Sequence, residues 1–386
     1  MKSAKPHLVW IGHVGGHTGL ARVSDNLLLR LQARWRVTVV GISVPADYAG
    51  PFTVIPARFL EDWMGRLVLR KLIADDPPDV VCLMMDPAPA MLFFPYIPRH
   101  IPVVAHMPVD AENILDAPKL DRLACGIFLT QFGLHEARTC GYTGQAVVLG
   151  HGVDPLLYAP QNRQEARERV GVPLDGFVIG NVNRNQPRKR MDITLLAFRE
   201  FLVRTGAKDA YLYLHCAPQD IGWDLAQLAR YWGIAERVIF PRETMKGLQA
   251  PPELCMPWVY SALDVQVTTT QGEGFGLTCL EGMACGIPQI VPAFAALGEW
   301  PEDAVYRVPV VHQLVTTAGT NLIEWFPDSC DVAYALEACY KDSMVRETYA
   351  QLGYTHARKP QFSWDRIAEQ FHAILTGVLH GKENIS

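Results

Sequence analysis

The chain reads as an α/β protein made of two doubly wound, Rossmann-like domains, and three observations lead there. Its 386 residues exceed one ordinary domain, and two of usual size is the natural division. Short, continuously apolar runs alternate with segments of helical periodicity, which implies parallel strands covered on both faces by helices. The alternation pauses at a polar, proline-containing stretch, His151 to Arg163, and then begins afresh. That stretch has the character of an inter-domain linker.

The first series of strands is His7 to Val14, Val37 to Ile42, Asp79 to Met85, Ile101 to His106, Gly126 to Thr130 and Gln145 to Leu149. A helix from Thr18 to Leu31 follows the first strand, with Leu20, Val23, Leu27, Leu28 and Leu31 on one stripe. The second series is Phe177 to Val182, Ala210 to Cys216, Arg237 to Pro241, Asp264 to Thr270, Pro288 to Pro292 and Ala304 to Val311. Near the end, Phe362-Ser363-Trp364-Asp365 leads into Ile367, Phe371, Ile374 and Leu375, an amphipathic closing helix. No internal repeat or low-complexity tract is apparent.

Composition narrows the function classes. With 49% hydrophobic residues a large core is expected, and with a net charge of −5 a protein-wide footprint for nucleic acid is not. No signal-peptide pattern and no apolar stretch of bilayer length is seen, so we expect a cytoplasmic, soluble protein without a transmembrane segment. The nine cysteines, at 82, 125, 140, 216, 255, 279, 285, 330 and 339, form no CxxC pair and read as small buried hydrophobes rather than zinc ligands. Asp75-Asp76 precedes two prolines and reads as a turn. Neither a metal nor a resident cofactor is expected.

The most informative stretch runs from Gln271 to Gly286, QGEGFGLTCLEGMACG, between two strands. A strand, a glycine-rich loop and a helix suit a phosphate held by loop amides and a helix N-terminus. Were the whole interval helical, Glu281 would stand roughly 12 Å beyond Glu273 along the axis. A single ligand touching both would be elongated, with a diphosphate between two polar ends, as a nucleotide-sugar is.

Glu273 and Glu281 resemble the E-x7-E signature of retaining GT-B glycosyltransferases, most closely the large "family four" (glycosyl transferases group 1) type. The resemblance implies the GT-B fold, two Rossmann-like domains facing across a cleft. It further implies a nucleotide-diphosphate sugar as donor substrate, Glu273 beside the donor sugar and Glu281 on the ribose hydroxyls. Donor contacts from Gly274, Phe275, Gly276 and Leu277 are expected beside them. By the same resemblance the last helix returns to the first domain, giving residues 1–157 plus 363–386 as the acceptor-side domain and 158–362 as the nucleotide-sugar domain.

Further loops fit this pattern. Gly12 to Gly19 opens the first helix without the spacing of a dinucleotide fingerprint. It resembles the family's first glycine-rich loop, which points to Gly15 and Gly16 as donor-binding. Asn183 to Asp192 follows the first strand of the second domain and holds four basic and three amide side chains, well suited to a dianionic diphosphate. Arg184 and Lys189 lie at the spacing of the family's diphosphate-binding pair, but Arg190 stands where the family usually has glycine. His106 ends a strand, where the family often has a histidine near the donor sugar. Its competing reading is a satisfied core histidine. His151-Gly152-Val153-Asp154 resembles the family's N-G-V-D junction, with Asp154 expected to cap a turn. His215, where the family usually has a small residue, could line the nucleotide pocket. Glu299 resembles the family's small-residue and glutamate segment and reads equally as an ordinary turn residue.

The expectation is therefore a retaining, metal-independent hexosyl transfer from a nucleotide-sugar to an acceptor hydroxyl, with Glu273, Arg184, Lys189 and His106 as catalytic residues. The acceptor, whether glycan, lipid-linked or small molecule, has no signature. Three alternatives stand beside this reading: a nucleotide-sugar epimerase of the same fold, a non-catalytic nucleotide-sugar binder, and a transferase acting on a modified nucleic-acid base, which the acidic balance disfavours. Phe59 to Leu72 carries Arg66, Arg70 and Lys71 beside Leu60, Trp63, Met64, Leu67 and Leu69. It reads as a buried helix with a solvated basic face, or else as a peripheral membrane contact.

Overall fold

The structure, a computed structural model, describes residues 5–16, 18–45, 48–57, 61–241, 253–317 and 319–381. His17, Phe59, Leu60 and residues 382–386, which fall within segments discussed above, lie outside the described residues. The chain divides into two compact units. One holds Met1–Gly152, Thr317–Leu322 and Gln361–Ser386, and the other holds Val153–Thr316 and Ile323–Pro360.

The first unit is built on seven strands: β1 (His7–Gly12), β2 (Arg36–Gly41), β3 (Thr53–Pro56), β4 (Val80–Met84), β5 (Val103–Met107), β6 (Cys125–Phe128) and β7 (Ala146–Val148). They form one parallel sheet in the order β3-β2-β1-β4-β5-β6-β7. Every residue of β1, β4, β5 and β6 is buried, which is why these runs are apolar throughout rather than alternating. Chain order reverses between β1 and β4, so the loop after β1 opens at the point where such sheets take ligands.

The closing helix, Trp364–Leu379, packs on this unit. Phe371 meets Trp10 with ring centroids 5.7 Å apart. On the outer side Arg34 clasps Glu369 through two 2.7 Å bonds, and the Trp35 indole donates to His372 Nδ1 at 3.0 Å. A Cβ on Gly152 would stand 2.7 Å from the Trp364 ring, so the junction glycine is needed for that approach. Beyond it the Asp154 carboxylate accepts the Leu156 amide at 2.9 Å and caps a turn. In the basic segment, helix Arg66–Asp75 buries Leu69, Leu72 and Ile73, while Trp63 and Leu67 are exposed. Asp75 closes that helix, and Asp76 pairs with Arg36.

The second unit repeats the design with β8 (Phe177–Asn181), β9 (Ala210–Leu214), β10 (Val238–Ile239), β11 (Val265–Val267), β12 (Gln289–Pro292) and β13 (Tyr306–Val308), parallel in the order β10-β9-β8-β11-β12-β13. An antiparallel pair, β14 (Val310–Val315) and β15 (Ile323–Pro327), follows. The expected strand Ala304 to Val311 is in fact β13 and the start of β14, because Pro309 alone separates the two, and the mostly exposed β14 and its partner β15 carry no continuous apolar signal. The short, half-exposed edge strand β3 was missed for a similar reason.

Chain order in this sheet reverses between β8 and β11. A buried ion pair pins these two strands at their start. Arg167, 1% exposed, donates to Asp264 Oδ2 at 2.6 Å and to the carbonyls of Leu174 and Gly176 at 2.6 and 2.8 Å. Asp264 Oδ2 also accepts the Val178 amide at 2.7 Å. With its carboxylate and guanidinium satisfied by several partners, the pair offsets its own desolvation and sets the stagger of the strands that lead into the site.

Candidate functional site

The loops after β8 and β11 leave adjacent strands at the switch point, so residues far apart in sequence arrive side by side. Thr269 and Thr270, just beyond β11, hold the β8 loop by its backbone. Thr269 Oγ1 donates to the Arg190 carbonyl at 2.7 Å, and Thr270 Oγ1 lies 2.6 Å from the Gly272 carbonyl and 3.2 Å from that of Arg188, between the two loops. The Gln271 amide donates to the same Arg188 carbonyl at 2.9 Å. Behind them a buried chain of side chains runs from Asn183 through Asn181 to Thr194, with bonds of 2.7 and 2.8 Å.

On this frame Lys189 Nζ pairs with Glu273 Oε2, and Arg188 stands 3.7 Å from the same oxygen. Burial opposes ionisation of Glu273 most strongly, but the combined charges of Lys189 and Arg188 outweigh it and hold its pKa below the ordinary value. Arg188 also donates to the Gly272 carbonyl. The Arg184 fork is bidentate to Asp220, with Nε at 2.7 Å and Nη2 at 3.1 Å. This bond is the largest cause lowering the Asp220 pKa. Asp220 lies in the loop after β9, and nothing in the sequence marks it as Arg184's partner.

Arg190 takes φ 46° and ψ 49°, the left-handed conformation that glycine adopts most easily. Its side chain is held by Asp192 through bonds of 3.0 and 2.8 Å and lies 4.1 Å over the Phe326 ring. The departure from glycine therefore leaves the loop in the backbone state glycine would take, and gives it two new side-chain anchors.

Helix Leu277–Ala284 begins after Gly276, whose φ is +93°. A Cβ there would stand 2.7 Å from Leu297 Cδ2. Gly274 and Phe275 are buried, with Phe275 edge-on to Trp300 at 5.7 Å. The Cys279 and Leu280 amides bond back to the Gly276 carbonyl, while those of Leu277 and Thr278 begin the helix and have no carbonyl behind them. Glu273 precedes this helix, so the axial rise expected between the two glutamates applies only from Leu277 to Glu281. Glu281 is 3% exposed, and Tyr260 donates to its Oε2 at 2.7 Å. Tyr260 carries no motif that would have revealed it. Glu299 ends the short helix Ala295–Gly298.

His215 follows β9 and is also buried, its Nδ1 2.8 Å from the Tyr213 hydroxyl.

In the first unit, Gly15 has φ +68°, and its amide donates to Asp25 Oδ2 at 2.9 Å. That amide is committed within the unit, and the Asp25 carboxylate beside it disfavours an anion at this point. Gly16 is open, with Ala21 Cβ the nearest neighbour to an added Cβ at 3.6 Å. His106 is wholly buried. Its Nε2 donates to the Leu149 carbonyl at 3.1 Å, and its ring meets His151 and Phe371 edge-on at 5.3 and 5.4 Å. Burial lowers its pKa to about 4, against the opposing effect of the Leu149 bond. The sugar contact expected of His106 is corrected accordingly: a ring without exposed surface packs the carboxyl end of β5, inside the sheet, against the closing helix and presents nothing to a sugar.

Comparisons with known proteins agree with this layout. Residues 176–318 match the family described as "Glycosyl transferases group 1". The chain is 31% identical over 235 residues to a D-inositol 3-phosphate glycosyltransferase of Actinosynnema mirum, covering 59% of this chain and 51% of that one. It is 30% identical over 225 residues to the protein of that name from Mycobacterium leprae, with 56% and 46% covered. The chain thus spans about half the length of the curated relatives it matches. Among solved structures, Anabaena HepE in complex with UDP and glucose aligns over 96% of this chain and all of its own, with TM-score 0.72 and 18% identity. Sucrose-phosphate synthase from Thermosynechococcus elongatus aligns over 98% of this chain and all of its own, with TM-score 0.72 and 16% identity. Residues 176–318 therefore belong to the glycosyl transferases group 1 family, and the chain that carries them has the GT-B fold.

Proposed function

We propose that the protein is a retaining glycosyltransferase that moves a sugar from a nucleotide-diphosphate sugar to an acceptor hydroxyl. The observation that carries this reading is the convergence, at one strand switch point, of Arg184, the Lys189–Glu273 ion pair and the N-terminus of helix Leu277–Ala284. Two cationic side chains and the two leading helix amides suit a leaving diphosphate on which negative charge grows. Asp220 takes the Nε and Nη2 side of Arg184, which leaves the Nη1 side for a phosphate oxygen.

In this reading the bond from the anomeric carbon to the β-phosphate oxygen breaks as the bond to the acceptor oxygen forms on the same face. The acceptor proton passes to the leaving phosphate. Glu273, kept ionised by Lys189, orients sugar hydroxyls and is not the nucleophile, so a second carboxylate of the glycosidase kind is not required. Glu281 holds the ribose through hydrogen bonds to its carboxylate, worth on the order of 1.5–3 kcal/mol for a charged acceptor. The names of the relatives support glycosyl transfer, and the UDP, glucose and UDP-glucose of the HepE structures support a nucleotide-sugar donor. Placement in the cytoplasm also belongs to this proposal.

The test is a thermal-shift panel with millimolar UDP, GDP, ADP, CDP and dTDP on the wild type and on Glu281→Ala, followed by product analysis with the nucleotide-sugar of the base that binds. A ligand at about 100 times its dissociation constant stabilises the fold by roughly 2.7 kcal/mol. A selective shift that Glu281→Ala abolishes, followed by a product with retained anomeric configuration, supports the proposal. No shift with any nucleotide overturns it, and release of an epimerised nucleotide-sugar would move the protein to the epimerase class.

A further inference from the structure

His215 stands at the carboxyl end of β9, one strand from β8 and its Arg184 loop. Its amide donates to the carbonyl of Asn181, the last residue of β8, at 2.9 Å. The loop that follows it is stitched to the Arg184 loop at two further points. One is the Arg184–Asp220 pair, and the other is Asn185, whose side-chain Nδ2 donates to the Trp223 carbonyl at 2.7 Å. Neighbouring strands lie about 4.8 Å apart, so a diphosphate held by the Arg184 loop brings the rest of its ligand within reach of the β9 end.

The ring's proton can be placed by counting partners. His215 is 7% exposed, its Nδ1 lies 2.8 Å from the Tyr213 hydroxyl, and its Nε2 has no hydrogen-bond partner. Burial lowers its pKa to about 4, so at neutral pH the ring carries one proton. If Nδ1 held that proton, both the Tyr213 hydroxyl hydrogen and Nε2 would be left unsatisfied. With Tyr213 donating to Nδ1, only the Nε2–H group is left. The second arrangement orphans fewer buried polar groups and is therefore favoured.

A buried N–H without an acceptor is a vacancy of defined chemistry, and at a strand end beside a diphosphate loop a ligand can fill it. We propose that His215 Nε2–H donates to an acceptor atom on the nucleobase of the donor nucleotide, making His215 a specificity-determining residue. This rests on the nucleotide-sugar reading above. His215 would then reward a base that places a carbonyl oxygen or ring nitrogen opposite Nε2 and penalise one that places an amino group there.

The test compares the dissociation constants of UDP, GDP, ADP, CDP and dTDP by calorimetry for the wild type, His215→Phe and His215→Gln. All five share the diphosphate and differ chiefly in the base, so the ratio of best to worst affinity isolates the base contact. We expect that ratio to fall about tenfold or more in His215→Phe, which keeps the ring and loses the donor, and to be largely restored in His215→Gln, which keeps an N–H at a similar reach. If His215→Phe is unfolded by melting, the wild type decides through its histidine 15N resonances, assigned with His215→Gln: the Nε2–H signal should shift downfield when the preferred nucleotide binds. Equal weakening of all five nucleotides, an unchanged ratio or an unmoved resonance overturns this proposal and leaves the nucleotide-sugar reading standing. Absence of nucleotide binding by the wild type overturns both.

Discussion

The Tyr260 hydroxyl donates to Glu281 Oε2 at 2.7 Å, and both residues are buried, at 0% and 3% exposure. A carboxylate in so dry a place needs its acceptor capacity filled, and the tyrosine fixes which way its second oxygen faces. Tyr260→Phe keeps the ring and removes the donor. It should lower nucleotide affinity three- to tenfold and destabilise the fold by about 1–3 kcal/mol. Calorimetric titration and urea unfolding check this, and unchanged affinity would show that Tyr260 does not position Glu281.

Lys189 and Glu273 hold each other in the resting protein, with Arg188 3.7 Å from the same carboxylate oxygen. Lys189→Met should cut turnover at least a hundredfold, since a preorganised charge at a leaving group is worth about 3 kcal/mol or more. Glu273→Gln should lower turnover while changing nucleotide diphosphate affinity by less than about threefold, because Glu273 is assigned to the sugar end. Steady-state kinetics and diphosphate binding separate the two. Equal loss of diphosphate binding in both variants would refute the division of roles.

Gly276 begins its helix at φ +93°, and an added Cβ would meet Leu297. Gly276→Ala should destabilise the protein by about 1–3 kcal/mol and weaken diphosphate binding by turning the leading amides away. Gly16→Ala is the control in the other unit, because an added Cβ there finds its nearest neighbour at 3.6 Å. A melting temperature for Gly276→Ala equal to that of Gly16→Ala would contradict the strain argument.

Stability should fall on acidification well before carboxylates titrate. Burial holds His106 and His215 at about 4, against about 6.5 in an unfolded chain. Between those values the unfolded state binds the proton and the folded state does not, so stability is full above about pH 6.5 and declines down to about 4. At pH 5 the loss is about 2 kcal/mol for each histidine. Urea unfolding at pH 7 and pH 5 should show this decline in the wild type and a shallower one in His106→Gln. Identical pH slopes in the two proteins would remove His106 from the account.

Arg184, Lys189 and the helix amides together suit the charge of a diphosphate, so turnover should persist in excess EDTA. Activity abolished by the chelator and restored by magnesium or manganese would show that the diphosphate is neutralised by an ion instead.

Much of the framework was legible because its signals are local. The continuous apolar runs that became β1, β4, β5, β8 and β12 are buried along their whole length, and burial on both faces leaves that pattern. The glycine-rich stretch sits between β11 and a helix, as its composition implies, although the helix starts only at Leu277. His106 was the misleading case. A histidine at a strand end looks the same in sequence whether its ring faces a ligand or, as here, Phe371 and His151.

What the sequence determined alone is the order of the elements and which loops leave which strand ends, since hydrophobic periodicity and glycine placement act over a few residues. The tertiary structure decided the partnerships: Arg184 with Asp220 across 36 positions, Lys189 with Glu273 across 84, and Glu281 with Tyr260 across 21. It also decided that Arg190 adopts a glycine-like backbone, held by Asp192 and Phe326. Such pairings follow from which strands become neighbours and how side chains then fill the space between them. That is a property of the packed whole, and it leaves no local mark on the chain.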